Sequence, residues 1–336
     1  MLLQLLRYPY ANTRSRFLAA AFLKPDRVEQ LASLSSKEQA GAFLEPYFSL
    51  PASSWPGIEW RIRAEYRALG MKVARSLPSG GRRLVEAYMR RAETENLKIA
   101  CRGLLKGQNV EEFQYLFIPA ASVGGIPGEK LRQVQSLDEL IGALRQRHLA
   151  RAIRQGLVAA EEHRLLSIEL ALDRATWEAV RECLNGLSWA DLAVAAELLN
   201  LRADLDRFNV VHRGWRAGLK ESEILEALPP LGTAYPARDL RQALRSDDPE
   251  AGLCRLFPLS GFDTPLSTAG EVALTRRLFR HLVKTMRSHP FDLAIPLATV
   301  LLKELESRDI QAILSGLRLG RRREEIMTLL ACAREE

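Results

Sequence analysis

The sequence predicts an all-α protein made of three related helical modules, and three observations carry that expectation. Apolar residues recur at steps of three and four along nearly the whole chain. Alternating β-branched runs are absent; residues 112–119 come nearest to a strand and are too few to change the class. One pattern, Gly-x-x-x-Gly-x-x-x-x-Glu-apolar, occurs three times, roughly a hundred residues apart.

In chain order, the first stripe is Leu84, Val85, Tyr88, Met89, Ala92, Leu97, Ala100 and Leu104. The second is Leu198, Leu201, Leu205, Phe208, Val211 and Trp215. The third is Val300, Leu301, Leu305, Ile313 and Leu317. Each stripe runs into a copy of the pattern: Gly103, Gly107, Glu112, Phe113; then Gly214, Gly218, Glu223, Ile224; then Gly316, Gly320, Glu325, Ile326. An apolar residue sits six positions before each first glycine (Leu97, Phe208, Ile310), and an acid sits ten before it (Glu93, Asp204, Glu306).

The pattern reads as a helix hairpin. The second glycine supplies a left-handed C-terminal cap to the long helix. The glutamate falls in the first turn of the next helix, where a carboxylate meets the positive end of the dipole. The first glycine permits close helix approach at the crossing.

Residues 119–128 (PAASVGGIPG) and 229–237 (PPLGTAYPA) combine proline and glycine in ways a helix interior does not tolerate. Beyond them the chain resumes alike, with Leu131-Arg-Gln133 and Leu240-Arg-Gln242. The expected modules are therefore 1–120, 121–232 and 233–336.

The 336 residues bury enough surface to fold without disulfide or metal. With 47% hydrophobic and 26% charged residues the composition is that of an ordered globular chain, not a disordered one. Cys101, Cys183, Cys254 and Cys332 lack metal-ligand spacing, so they read as free thiols of a reducing compartment. The apolar start, residues 1–6, is too short for a signal peptide. The longest apolar run, 295–302, is too short for a membrane span. A net charge of +7 favours an acidic partner.

No enzyme signature emerges. GxxxxGK[ST] is absent, so no nucleotide is expected, and no cofactor is implied. The five histidines show no HExxH and no i, i+4 pair, so no metal is expected. No GxSxG elbow exists. Paired acids such as Glu161-Glu162 or Asp247-Asp248 read as caps and solvated charge. Position −2 from the first glycine holds Cys101, His212 or Leu314, which marks packing and not catalysis. The candidates that remain are for partner contact. They are the glycines of the three turns, Arg102 and Arg213 just before two of them, and the run Arg321, Arg322, Arg323 after the third.

Several stretches resemble one family. Tyr10-Ala-Asn-Thr-Arg14 resembles an opening Y-x-N-x-R. Glu93-Thr-Glu-Asn96-Leu97 followed by Arg102-Gly103 resembles a first-module E-x-x-N-L…R/K. Lys303-Glu304-Leu-Glu306 followed by Asp309-Ile310 is similar to a C-terminal K-E-x-E-x-x-x-[LI]. The family is that of the C-type subunits of V/A-type rotary ATPases, whose eukaryotic counterparts are the d-type subunits. The second module departs from it with Asp204-Leu-Asp206-Arg207-Phe208, and the third lacks the arginine before its glycine.

The resemblance implies three pseudo-symmetric modules forming a funnel-shaped socket with no catalytic site. Such a protein would sit peripherally on the cytoplasmic face of the membrane. Its partners would be the central-stalk subunits of D and F type and the membrane proteolipid ring, between which it transmits torque. The alternative from residues alone is a basic helical scaffold for nucleic acid or an acidic protein. Modules of a hundred residues and the lack of an arginine stripe disfavour it.

Overall fold

The computed structural model describes residues 7–48, 55–118, 123–159, 161–257, 266–288 and 291–332. The apolar start and residues 119–122 of the first linker lie outside this set. The described residues form eighteen α-helices, two 3-10 turns and no strand; the one β-pairing is an isolated bridge between Val123 and Ile126. Residues 112–118, the nearest to a strand in sequence, are instead the end of a short helix and a 3-10 turn.

Three long hairpins organise the molecule. The first pairs α4 (Trp55–Arg75) with α5 (Ser79–Met89) and α6 (Arg91–Leu105). Here the expected continuous helix is divided at Arg90, with no Gly or Pro to mark the division. The second pairs α11 (Arg164–Asn185) with α12 (Trp189–Arg216), and the third pairs α16 (Leu266–Ser288) with α17 (Ala294–Arg318). Each hairpin's second arm packs on the first arm of the next: α6 on α11, α12 on α16, and α17 back on α4. Helix α1 (Pro9–Ala19) lies along α17.

The common core takes side chains from all three hairpins and from α1, including Tyr8, Val73, Leu84, Tyr88, Trp177, Leu198, Leu282, Leu297 and Leu301. Around it lie three smaller cores, each built around one of the three glycine patterns. Leu97, Leu104 and Phe113 pack with Leu131, Leu140 and Ile153. These come from α8 (Gly128–Arg132), α9 (Leu137–Ala143) and α10 (Arg147–Leu157). Phe208 and Ile224 pack with Tyr235, Leu240 and Phe257, of which Leu240 lies on α14 (Ala237–Leu244), which α15 (Pro249–Leu256) follows. Ile310 and Ile326 pack with Val28, Leu31 and Leu44 of α2 (Pro25–Ala32) and α3 (Lys37–Phe48). Residues 310–330 thus pack against residues 28–44, far back along the chain.

The short helices after the linkers start alike. The amide of Leu131 donates to Pro127 O (3.0 Å), that of Leu240 to Pro236 O (3.1 Å), and that of Val28 to Lys24 O (3.0 Å). All three residues are buried.

Candidate functional site

The three glycine patterns form one local structure three times. The second glycines have positive φ: 70° at Gly107, 75° at Gly218 and 66° at Gly320. The next residue's amide reaches back to the first glycine's carbonyl: Gln108 to Gly103 (3.1 Å), Leu219 to Gly214 (3.0 Å) and Arg321 to Gly316 (3.0 Å). Each second glycine's own amide bonds the residue three before it, completing the left-handed helix stop that glycine favours.

The first glycine's role is equally specific. A Cβ on Gly103 would lie 2.2 Å from the Phe113 ring. On Gly214 or Gly316 it would lie 2.8 Å from Ile224 or 2.6 Å from Ile326. The apolar residue ending each pattern therefore packs directly over the glycine that begins it. The short helices that carry these residues are α7 (Val110–Phe113), α13 (Glu221–Ala227) and α18 (Arg323–Thr328). Glu112 and Glu223 accept the amides of Asn109 (3.0 Å) and Lys220 (2.8 Å) at the starts of α7 and α13, while Glu325 pairs with Arg322 (3.1 Å).

Polar residues upstream of each turn hold the chain together at matching offsets. Ten positions before the first glycine, Glu93 accepts from Gln146 Nε2 (2.8 Å), Asp204 from the Ala234 amide (3.3 Å) and Glu306 from the Leu23 amide (2.6 Å). Each acid thus ties its helix to a segment outside its own glycine pattern, and Glu306 reaches back to Leu23.

Seven positions before the glycine, Asn96, Arg207 and Asp309 hold the stretch of chain that follows each turn. Asn96 both donates to Ile118 O (3.0 Å) and accepts from Ile118 N (2.6 Å). Arg207 donates to Pro229 O and Tyr235 O (both 2.9 Å). Asp309 accepts from the amides of Ala331 and Cys332 (both 3.0 Å). The chemistry of each residue follows its target: proline has no N–H, so at Pro229 only a donor can serve.

Twelve positions before the glycine stand Arg91, Arg202 and Glu304, which meet between the three hairpins. Arg202 donates to Glu304 Oε1 (2.9 Å) and to Asp206 Oδ1 (2.6 Å). Arg91 and the Trp177 indole both donate to Asp206 Oδ2 (2.9 Å), and Tyr88 donates to Glu304 Oε2. Burial alone would raise both carboxyls, but the guanidiniums outweigh it and hold Asp206 and Glu304 below their ordinary values. Lys303, next in sequence, is buried against the rings of Phe22 and Phe48 and paired with Glu306.

The expected contact residues divide into two groups. Arg102 and Arg213 are brought together: Arg102 donates to Glu169 Oε1 at 2.5 Å and Arg213 to Glu169 Oε2 at 2.6 Å. Glu169 is buried while both arginines are half exposed. Burial would raise its carboxyl, but hydrogen bonds from Arg213 and then Arg102 hold it lower. Arg321, Arg322 and Arg323 are exposed; Arg322 pairs with Glu325 and Arg323 lies 3.7 Å from Glu29. Gly103, Gly214 and Gly316 are buried, while Gly107, Gly218 and Gly320 lie on the surface.

Motif reading alone does not find Glu169, Arg91 or Arg202, and it gives no partner to Asn96, Arg207, Asp309 or Glu304, which stand in the stretches compared with the family. Lining up the three repeats on their first glycines does mark offsets −7 and −12, because polar or charged residues fill both every time. Among the described residues no group of His, Cys, Asp and Glu could hold a metal ion, and no helix is long and apolar enough to cross a membrane.

Known proteins share this chain's sequence pattern almost from end to end. The sequence profile described as ATP synthase (C/AC39) subunit matches residues 11–329. The chain belongs to the ATP synthase (C/AC39) subunit family. The C-type subunit of the A-type ATP synthase of Methanocaldococcus jannaschii is 23% identical, covering 98% of this chain and 88% of the relative. That of Pyrococcus abyssi is 19% identical over 96% and 90%. The stretches resembling the C/AC39 family now have physical roles: Asn12, Asn96, Lys303 and Asp309 are buried. Of the family-like acids, Glu93 and Glu306 hold distant segments of the chain and Glu304 closes the central network.

Proposed function

We propose that this chain is a non-catalytic rotor subunit of a V/A-type ATPase or ATP synthase. It acts as a socket that couples the central stalk, of D and F type subunits, to the membrane proteolipid ring on the cytoplasmic side. It binds no nucleotide and performs no chemistry; its work is to carry torque without yielding. The observation that supports this most is the family match along nearly the entire chain.

The organisation of the polar groups favours a torque-bearing part. Units 1–120, 121–232 and 233–336 are proposed as three equivalent sectors of a funnel. Each sector is fastened to its neighbour by a buried or half-buried side chain, and the last is fastened to the first through Glu306 and Leu23. A shaft turning inside such a ring strains all three junctions alike. The turns at Gly103–Gly107, Gly214–Gly218 and Gly316–Gly320 are the proposed partner corners, with Arg102, Arg213, Arg321, Arg322 and Arg323 beside them.

Size-exclusion co-elution with the central-stalk subunits of the same organism, then with detergent-solubilised proteolipid ring, tests this reading. Stoichiometric complexes are expected with both. Failure with both, alongside salt-sensitive binding to nucleic acid, would replace it with the basic scaffold. Reversing the charge of Arg321, Arg322 and Arg323 should weaken stalk or ring binding; unchanged binding by a folded variant removes them from the surface.

A further inference from the structure

The turns of the three hairpins meet at one end of the bundle. A Cβ on Gly81 would lie 2.9 Å from Leu293 Cδ1, and one on Gly80 would lie 3.2 Å from Leu187 Cδ2. Residues 76–81, 186–189 and 291–293 are therefore neighbours. Helix α1 starts there too, since Arg7 donates to Asp191 Oδ2 at 3.1 Å. The glycine corners lie at the far ends of the second arms, about 40 Å away at ~1.5 Å per residue.

This end carries large exposed rings, of which Tyr10 also accepts a hydrogen bond from Arg14 (2.7 Å) and lies beneath its guanidinium. Trp189 is 85% exposed, Tyr10 65% and Phe291 49%. Trp189 is the first residue of α12, whose N-terminus is already capped by Ser188 Oγ accepting from the Asp191 amide (3.4 Å). A small polar residue would start that helix equally well, so helix formation does not explain the indole.

The same end carries uncompensated positive charge. Arg75, Arg82, Arg83 and Arg287 are exposed, and none forms an ion pair with a carboxylate among the described residues. Arg82 donates to backbone carbonyls of Arg75 (3.5 Å) and Leu77 (3.4 Å). Nearby acids are engaged within the fold: buried Asp191 accepts from Ser188 Oγ and Arg7, and Asp292 accepts from the Ala294 amide (2.8 Å). Glu86, half exposed one turn beyond Arg82 and Arg83, and exposed Glu182 are the further carboxylates on these helices, and neither is within ion-pair distance of the four arginines.

Exposed Trp, Tyr and Phe flanked by guanidiniums suit the headgroup layer of an anionic bilayer, where rings enter the interface and arginines meet phosphates. A second copy of the chain would set these arginines against their own kind. We propose that the hairpin-tip end is a docking surface for anionic phospholipid headgroups. Trp189, Phe291 and Tyr10 enter the interface, and Arg75, Arg82, Arg83 and Arg287 pair with lipid phosphates. This surface does not depend on the rotor reading, which the stalk co-elution tests separately.

The test is sedimentation of the purified full-length protein with vesicles of phosphatidylcholine, with and without phosphatidylglycerol. Binding is expected only to the anionic vesicles, and it should fall as salt rises. Trp189→Ser with Phe291→Ser should weaken it at least about tenfold, and so should Arg82→Glu with Arg83→Glu. Arg151→Glu with Arg154→Glu makes the same charge change on α10, away from the tips, and should leave binding intact. All three variants alter exposed residues, and circular dichroism checks their folding.

No binding to anionic vesicles would overturn the proposal. Equal loss in the α10 variant would do so as well, reducing the effect to net charge. A concentration-dependent dimer abolished by the tip variants would assign the surface to a second copy instead.

Discussion

The packing of Phe113 over Gly103 makes a prediction that can be worked through. In Gly103→Ala the new methyl would sit 2.2, 2.4 and 2.6 Å from three atoms of the Phe113 ring. Ordinary contact begins near 3.4 Å, so the ring must retreat by roughly 1 Å. Phe113 is 4% exposed, and such overpacking costs about 1–3 kcal/mol. Alanine recovers about 1 kcal/mol through helix propensity. The net expectation is a cost of about 0–2 kcal/mol, where an exposed helical Gly→Ala would stabilise by about 1 kcal/mol. Phe113→Ala costs about 3–5 kcal/mol by itself. In the double variant the clash is gone, so the two costs should fall short of their sum by about 1–3 kcal/mol. Urea unfolding followed by circular dichroism measures all four species. Additive costs, or a Gly103→Ala variant more stable than the parent, would refute the reasoning. The ranking is a second check: Gly103→Ala should cost most, Gly316→Ala less, and Gly214→Ala least, following contacts of 2.2, 2.6 and 2.8 Å.

Gly107→Ala meets nothing within 4 Å but keeps φ at 70°, so it should cost about 1–2 kcal/mol with no coupling to Phe113, measured in the same cycle. Asp309→Ala strips the acceptor from the buried amides of Ala331 and Cys332 and should destabilise by about 2–4 kcal/mol in urea titrations, with faster hydrogen exchange at 331–332. Arg202→Leu leaves Glu304 and Asp206 without their shared cation and should cost about 3 kcal/mol, reduced when Glu304→Gln is added; an unrelieved double variant would count against the network. Glu169 has a folded pKa below its ordinary 4.5, so its contribution is present above about pH 4.5 and is lost as pH falls through the depressed value. Melting temperatures of Glu169→Gln should therefore fall less steeply than the parent's below about pH 4.5, with Asp206 and Glu304 still supplying a residual slope.

The features legible in sequence are those whose cause lies within a turn or two of the residue. Helical stripes can be read because burial repeats every 3.6 residues, and Leu84, Tyr88, Leu97, Phe208 and Ile310 are all buried where the stripes place them. The left-handed stop at Gly107, Gly218 and Gly320 can be read because it closes within six residues. The first glycine predicts a close helix approach without naming the residue that approaches, although Phe113, Ile224 and Ile326 stand in the same pattern. The division at Arg90 is not legible, since neither glycine nor proline marks it.

Spacing along the chain is the physical cause of the helical class, of the glycine pattern's threefold recurrence and of its corners, so all three can be read without coordinates. The sequence also carried enough resemblance to indicate the family. What the polar residues hold depends on packing between distant segments. Glu306 reaches Leu23 across 283 positions, Arg202 meets Glu304 across 102, and Glu169 gathers Arg102 and Arg213 from 67 and 44 positions away. Such pairings leave no period in the chain. They arise because burying three amphipathic hairpins against one another strands polar groups at the junctions, and each can be buried only where the packing supplies its partner.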